Sequence, residues 1–214
     1  MVASVVEQLQ ARVDSMQGRP AAQPVATHPA LAGLLGLRAG GTYTVDSATL
    51  VGLLLAGPSG DGAWCGVVGS TELGLEATAA LGVDLSRLVL VPDPADAWLE
   101  VTAALVDALG AVVVRPPSDV AESAAARLVA RLRKRGGVLV VWGDWPRPDA
   151  RLTLSDPVWA GLERGHGHLQ GRQATVEVRR GTGPARRRRL WLPAPDDQGV
   201  REVESAPTPL RSVG

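Results

Sequence analysis

Residues 111–142 read AVVVRPPSDVAESAAARLVARLRKRGGVLVVW, and this stretch decides the fold. Two short, continuously apolar runs, Ala111–Val114 and Val138–Trp142, enclose a segment, 120–135, with helical periodicity. Runs of valine and leucine without polar alternation are typical of strands that are covered on both faces. A helix between two such strands predicts a right-handed crossover in a parallel sheet.

The same alternation extends back to residue 42. Strands are predicted at Thr42–Val45, Ala63–Val68 and Leu88–Val91, and helices at Ala48–Ala56, Leu73–Leu81 and Ala95–Leu109. Strands and helices that alternate in this way predict an α/β fold with a mostly parallel sheet flanked by helices.

The pattern changes after Trp142. Gly143–Pro157 is polar and contains three prolines, and Val158–Leu162 is predicted to form a helical turn. Further on, Ala174–Val178 and Leu190–Leu192 flank a Gly-Thr-Gly-Pro turn and a run of arginines. These runs predict a C-terminal antiparallel hairpin that extends the sheet.

Both ends of the chain are predicted to lie outside the core, which spans residues 35–193. Residues 1–17 carry an apolar stripe that predicts an amphipathic helix, covered either by the chain's own core or by a partner. Gly and Pro then predict a linker over residues 18–34. Residues 194–214 are rich in Pro, charge and small side chains, which predicts a tail that is disordered when unbound.

The composition limits the classes of function. The 22 basic and 22 acidic residues cancel, whereas a DNA-coating protein usually shows a basic excess. Cys65 is the only cysteine, which excludes an internal disulfide and favours a reducing compartment. Neither a signal-peptide pattern nor an apolar run of membrane-spanning length is present, so we expect a cytoplasmic protein.

A phosphate-binding loop is missing where the fold would place it. Such a loop needs glycines whose amides surround the phosphates and a lysine that reaches them. The connection after the first strand reads Val45-Asp-Ser-Ala-Thr-Leu50, with an acid, no glycine and no cation, and the only lysine is Lys134. A metal site is equally unsupported, because Cys65, His166 and His168 lack the paired ligands that zinc needs. We therefore predict no catalytic, cofactor-binding or metal-binding residues.

Two kinds of side chain are candidates for binding a partner. The first is the run of arginines Arg186, Arg187, Arg188 and Arg189. In a strand, half of these charges lie on each face. They contact either DNA phosphates or an acidic partner, or they only protect a solvated edge strand from aggregation. Trp145 and Trp191 lie beside prolines at predicted element ends, and we expect them to be exposed. The remaining candidates are the stripe residues Val5, Leu9 and Val13.

The order of elements resembles the core of RecA. The segment LGVDLSRL at 81–88, the strand that follows it and AVVVRPP at 111–117 carry this resemblance over residues 35–193. It implies that Arg115 stands where the metal-holding aspartate would be. It also implies that Gly69-Ser70-Thr71 occupies the catalytic glutamate's position, with Glu72 one or two residues late.

More narrowly, the chain resembles the ImuA-prime family. The segments that fit are WCGVVG, GVDLSRLVLVPDP, AVVVRPP, VWGDWP and the arginine-rich hairpin before LWLP. The resemblance implies a RecA-like scaffold with a degenerate nucleotide site. It implies a non-catalytic accessory role in SOS-induced mutagenic translesion synthesis, with an ImuB-type inactive polymerase homologue as partner and indirect association with an error-prone polymerase and DNA.

Other partners and functions stay open at this stage. RecA is a second candidate partner, because RecA protomers pair through an N-terminal helix that the Val5, Leu9 and Val13 stripe could imitate. The alternative function is a nucleotide-dependent, DNA-binding RecA-like ATPase with an unorthodox phosphate loop. A DNA-binding module is a third possibility, which a steep salt dependence of affinity would reveal.

Overall fold

A computed structural model describes residues 23–163, 166–195 and 199–203. The strands are β1 Pro24–Val25, β2 Leu37–Arg38, β3 Thr42–Val45, β4 Cys65–Val68, β5 Leu88–Val91, β6 Ala111–Val114, β7 Val138–Trp142, β8 Ala150–Glu163, β9 His166–Arg179, β10 Arg186–Trp191 and β11 Arg201–Glu202. The α-helices are α1 Ala48–Gly60, α2 Leu75–Ala80, α3 Trp98–Ala108 and α4 Glu122–Arg135. Short 3-10 turns cover Pro29–Leu31, Leu85–Arg87 and Ala95–Ala97.

Nine strands form one sheet in the order β11-β10-β9-β8-β3-β7-β6-β4-β5. All neighbours from β8 through β3 to β5 are parallel, whereas β8, β9, β10 and β11 pair antiparallel. The predicted α/β class, with a mostly parallel sheet, flanking helices and a C-terminal antiparallel hairpin, is confirmed.

Helices cover both faces of the parallel strands. On one face lies α1, whose Leu53, Leu54 and Leu55 are all buried, so this helix is enclosed on every side. On the other face α3 and α4 pack against the opposite side chains of β6 and β7. The helix α1 runs to Gly60, beyond its predicted end at Ala56. Pro58 lies in the last turn of the helix, where its missing N–H interrupts little of the backbone hydrogen bonding.

The predicted linker is partly wrong. Within residues 18–34, β1 pairs with β2 beyond this stretch, and Leu31 and Leu34 are buried in the same cluster as α1. Pro29 and Gly33 mark turns beside these apolar anchors, so the core begins before residue 35. The predicted helix at 1–17 lies outside the described residues.

The predicted helical turn at Val158–Leu162 is also wrong, since these residues belong to the 14-residue strand β8. The ladder with β9 shifts register between Ser155 and Val158 and again between Ala160 and Leu162. Pro157 and Gly161 lie at these two bulges, where a strand tolerates a missing N–H or needs a positive φ. The same two residues interrupt the alternation of apolar and polar side chains, so the sequence pattern did not predict this strand.

Part of the predicted disordered tail is ordered. Ala194 is fully buried, and Arg201–Glu202 adds a strand whose Glu202 lies opposite Leu190 of β10. Residues 196–198 and 204–214 lie outside the described parts. Among the helices that are described, none has both the length and the apolar character needed to cross a bilayer.

Candidate functional site

The parallel strands end together at one edge of the sheet, which we call the carboxyl edge and define by the residues that follow Val45, Val68, Val114 and Trp142. Ligands of open α/β sheets bind in the crevice outside this edge. The side chains that meet here therefore decide what chemistry the fold can perform.

At the end of β3, an acid bonds to the protein's own backbone. Both carboxylate oxygens of Asp46 accept from the Leu154 N–H at 3.1 Å, which ties the start of the β3–α1 connection to β8. Ser47 is the N-cap residue just before α1 and has an extended backbone, and its hydroxyl makes no hydrogen bond within the described residues. Only Asp46 and Ser47 connect β3 to α1, so the connection has no glycine and is too short to wrap a phosphate.

A cation does reach this region, contrary to the expectation from the sequence. Arg172 of β9 donates from Nη2 to Thr49 Oγ1 at 2.7 Å, and its guanidinium lies 5.3 Å from the centroid of the Trp159 ring. Partial burial lowers the pKa of Arg172. The contact joins residues 123 positions apart, and it depends on the length of β8 and β9, which the sequence pattern did not predict.

At the end of β6, Arg115 forms an ion pair with Glu72. Its Nη1 lies 2.7 Å from Glu72 Oε2, and its guanidinium stacks 4.7 Å from the Trp142 ring centroid. Gly69 approaches the Arg115 backbone with a φ of +77°, and a Cβ there would lie 2.6 Å from the Arg115 carbonyl oxygen. Glycine at 69 thus lets the ends of β4 and β6 meet and brings Glu72 within reach of Arg115.

The arrangement offers little for metal or nucleophilic chemistry. No group of three His, Cys, Asp or Glu side chains that could hold a metal is present in the described portion of the chain. Cys65 is buried in β4, where burial raises the pKa of its thiol to about 11. His168 lies on β9, with four strands between it and β4, and it is exposed.

Trp145 is not the exposed anchor that the sequence suggested. It is 2% exposed and packs with Val141 and the inner face of α4, so it belongs to the core. Trp191 is half-buried at the end of β10, opposite Gln173 and Arg201. Val5, Leu9 and Val13 lie outside the described residues.

The arginine run divides between two sides of β10, and each member has a partner in the chain. Arg186 donates to the Gly33 carbonyl, and Arg188 donates to the carbonyls of Ala30 and Ala32. On the other side Arg187 pairs with Glu177, whose pKa its arginine neighbours lower, and Arg189 bonds Gln173. Arg186 and Arg188 therefore hold the N-terminal segment against the sheet.

A projecting hairpin carries apolar side chains that the sequence analysis did not select. Residues 155–163 of β8 pair, within the described chain, only with β9, because β3 meets β8 only over Ala150–Leu152. We call residues 155–163 and the part of β9 up to Thr175 that pairs with them the distal hairpin. On the distal hairpin Val158, Trp159 and Leu169 are exposed, and Trp159 keeps 51% of its surface accessible. A signal was present in the sequence, since Val158-Trp159 is an apolar pair in an otherwise polar stretch.

Together these features define an α/β domain whose parallel strands end in internal ion pairs and whose hairpin extends beyond the sheet. Residues 29–147, more than half of the chain, match the family model described as the MT3502 N-terminal domain, and the chain belongs to that family. It is also 34% identical over 134 residues to the uncharacterized protein Rv3395c of Mycobacterium tuberculosis. That match covers 62% of this chain and 61% of the relative, so the chain matches less than two thirds of it.

Proposed function

We propose that the protein is a non-catalytic adaptor of SOS-induced mutagenic translesion synthesis, of the ImuA-prime kind, that acts in the cytoplasm. Its main partner is an ImuB-type, Y-family-like protein, and RecA is a second partner within the same DNA-damage assembly. The partner identities rest on the sequence resemblance. The adaptor role rests on the residues at the carboxyl edge.

The Arg115–Glu72 ion pair is the observation that carries the proposal. A RecA-like ATPase needs an acid at the end of β6 to hold Mg²⁺ and a free glutamate to orient water. Here a guanidinium stands at the first position, 2.7 Å from the glutamate that lies nearest the second. A cation at this place repels Mg²⁺, and its salt bridge occupies the carboxylate of the glutamate.

The distal hairpin is the surface that we assign to the protein partner. Large aromatic side chains dominate binding energy in protein interfaces, and Trp159 is half-exposed beside the guanidinium of Arg172. Val158 and Leu169 add apolar area on the same two-stranded element. Trp159 thus takes the place of Trp145 as the proposed aromatic anchor.

A binding measurement with a matched control tests this assignment. Tagged wild-type protein from DNA-damaged cells is expected to co-purify an ImuB-type protein, and Trp159→Ala is expected to weaken the binding by about thirtyfold or more. Trp64→Ala is the control, because Trp64 is exposed to 50% but lies just before β4. Equal binding by both variants would contradict the assignment to the hairpin, and absence of the ImuB-type protein would contradict the adaptor role.

The N-terminal stripe provides a second test. Replacement of Val5, Leu9 and Val13 by Asp is expected to abolish pull-down of one partner, RecA or the ImuB-type protein, while the folded core is unchanged. Circular dichroism and thermal melting of the variant serve as the control for folding. Unchanged pull-down of both partners would remove the stripe from the interface.

One observation favours the alternative, a nucleotide-dependent, DNA-binding ATPase. Arg172 brings a cation to the first turn of α1, where a phosphate would lie in such an enzyme. This function predicts saturable binding of Mg-ATP that Arg172→Ala removes. It also predicts an affinity for single-stranded DNA that falls steeply with salt.

A further inference from the structure

The strand β5 forms one outer edge of the nine-stranded sheet, and its composition is unusual for an edge. Within the described residues no strand pairs with its outer side. All four of its residues, Leu88–Val91, are aliphatic, and Leu90 is 41% exposed. Edge strands are normally guarded by charge, proline or bulges, because unpaired N–H and C=O groups recruit another strand. The outermost strand at the opposite edge, Arg201–Glu202, does carry charges.

The hydrogen bonding of β4 shows which groups of β5 point outward. The Gly69 N–H donates to the Val91 carbonyl at 2.9 Å, so Val91 directs its backbone groups toward β4. Because these directions alternate along a strand, Leu88 and Leu90 direct their N–H and C=O groups away from the sheet. Pro92 directs a carbonyl outward and has no N–H.

These outward groups fit a second copy of the same strand in antiparallel orientation. With Leu90 opposite Leu90 of the other copy, the two residues exchange both N–H···O=C bonds, and the Leu88 N–H meets the Pro92 carbonyl. The proline's missing donor costs one ladder bond on each side of the two-fold axis. This pairing uses the backbone of each strand as it is in the single chain.

The charges that flank β5 favour this register. Arg87 and Asp93 lie three residues on either side of Leu90, so each would face its opposite in the other copy. Both side chains are exposed in the single chain, and the Arg87 contacts with Asp84 and Gly62 are at the surface. Opposite charges across neighbouring strands stabilise pairing, whereas like charges oppose it.

We propose that β5 pairs with β5 of a second copy about a two-fold axis, so that the sheet continues from one chain into the other. The exposed side chain of Leu90 then packs beside Leu90 of the second copy on the same face of the sheet. Four strands, β3, β7, β6 and β4, separate this interface from β8 and β9, so the pairing leaves their hairpin free. The inference does not depend on the adaptor function.

Analytical ultracentrifugation of the full chain tests the pairing. The wild type is expected to sediment as a monomer–dimer equilibrium at concentrations up to about 100 µM. Leu90→Lys, which places a charge on the edge strand, is expected to leave only monomer. The control is Leu169→Lys, the same change at another exposed leucine, which is expected to dimerise like the wild type.

Charge reversal tests the register. Arg87→Asp alone and Asp93→Arg alone each place like charges opposite each other twice in a dimer, and each is expected to raise the dimer Kd by about tenfold or more. When the two variants are mixed, both acids of one chain face the two arginines of the other. The mixture is therefore expected to form a heterodimer of wild-type affinity.

Three results would overturn the proposal. The first is a wild-type protein that stays monomeric throughout the concentration range. This includes the case in which β5 pairs only with a strand of another protein. The second is a dimer that Leu90→Lys does not weaken. The third is a mixture of the charge-reversed variants that associates no better than either variant alone, which would exclude this register.

Discussion

The carboxyl edge of the parallel strands and the distal half of the β8–β9 hairpin differ in how their side chains are used. At the edge, Asp46 accepts from the Leu154 N–H and Arg115 pairs with Glu72, so charges that could bind a ligand are engaged within the chain. On the hairpin, Val158, Trp159 and Leu169 are exposed although they are large and apolar.

This difference separates a region whose polar groups are bonded within the chain from one whose apolar side chains face solvent. Exposed single hydrophobics are common, but several of them on a projecting element mark an interaction surface. At the usual ligand position of an α/β sheet, Arg115 and Glu72 form an ion pair with each other. Both properties support the proposed role as an adaptor that binds proteins.

The largest expected effect separates the two regions by stability. Leu50 is fully buried in the first turn of α1, next to the carboxyl edge, and Leu50→Ala is expected to lower the free energy of unfolding by about 2–5 kcal/mol. Val158→Ala, at a half-exposed position on the hairpin, is expected to change it by about 0.5 kcal/mol or less. Urea unfolding of both variants measures the difference, and equal losses would show that the hairpin is part of the core.

Alkaline pH is expected to lower the free energy of unfolding through two buried groups of the parallel strands. Burial raises the pKa of Cys65 to about 11 and that of Tyr43 to about 12, above the ordinary values of 9.0 and 10.0. Both groups are neutral in the folded state, and the unfolded state gains free energy by ionising them first. Stability is therefore complete below about pH 9 and falls as the pH rises toward about 12.

Thermal melting between about pH 8 and pH 11 checks this dependence. The melting temperature is expected to fall, and the fall is expected to be smaller in Tyr43→Phe, which removes one of the two groups. The Tyr43 hydroxyl accepts from the Arg38 N–H, so the variant starts from a lower stability at neutral pH. A fall of the same size in the variant would remove Tyr43 from the explanation.

The sequence predicted the parallel half well and the hairpin poorly, for a physical reason. The strands at Thr42–Val45, Leu88–Val91, Ala111–Val114 and Val138–Trp142 have the predicted bounds. The last three are continuous apolar runs, which are typical of parallel strands. In β8 the residues 155–159 are all exposed, and Pro157 and Gly161 interrupt the strand, so it has no regular alternation.

The same reasoning explains the outcome for the candidate site. The missing glycines and the arginine at 115 could be read from local sequence, because each lies directly after a predicted strand. The Arg172–Thr49 contact could not be predicted, since it depends on the register of β9 against β8. Trp145 was misjudged because a neighbouring proline suggested a loop tip, whereas the indole packs under α4.

A smaller effect concerns the rigidity of the hairpin itself. Gly161 has a φ of +99°, and a Cβ there would lie 2.3 Å from the His168 carbonyl oxygen. Gly161→Ala is expected to speed amide hydrogen exchange in residues 158–162 by about tenfold to a hundredfold, with little change in β6. The control is Gly36→Ala, where a Cβ meets no atom within 4 Å. Faster exchange across β6 and the hairpin together would show that the two regions unfold as one unit.

The smallest expected effect is on the ion pair at the carboxyl edge. Glu72→Gln removes one charge from a pair whose side chains are 37% and 66% exposed, so stability is expected to change by less than about 1 kcal/mol. Thermal melting at low and high salt measures it. A loss of several kcal/mol would contradict this expectation and show that the pair contributes substantially to the stability of the fold.

Isothermal titration calorimetry of the wild type with Mg-ATP tests the central claim most directly. The closed carboxyl edge predicts no saturable heat with nucleotide up to about 1 mM. Saturable binding in the micromolar range that is lost in Arg172→Ala but kept in Arg179→Ala would contradict the account, because it would show a triphosphate held at the first turn of α1.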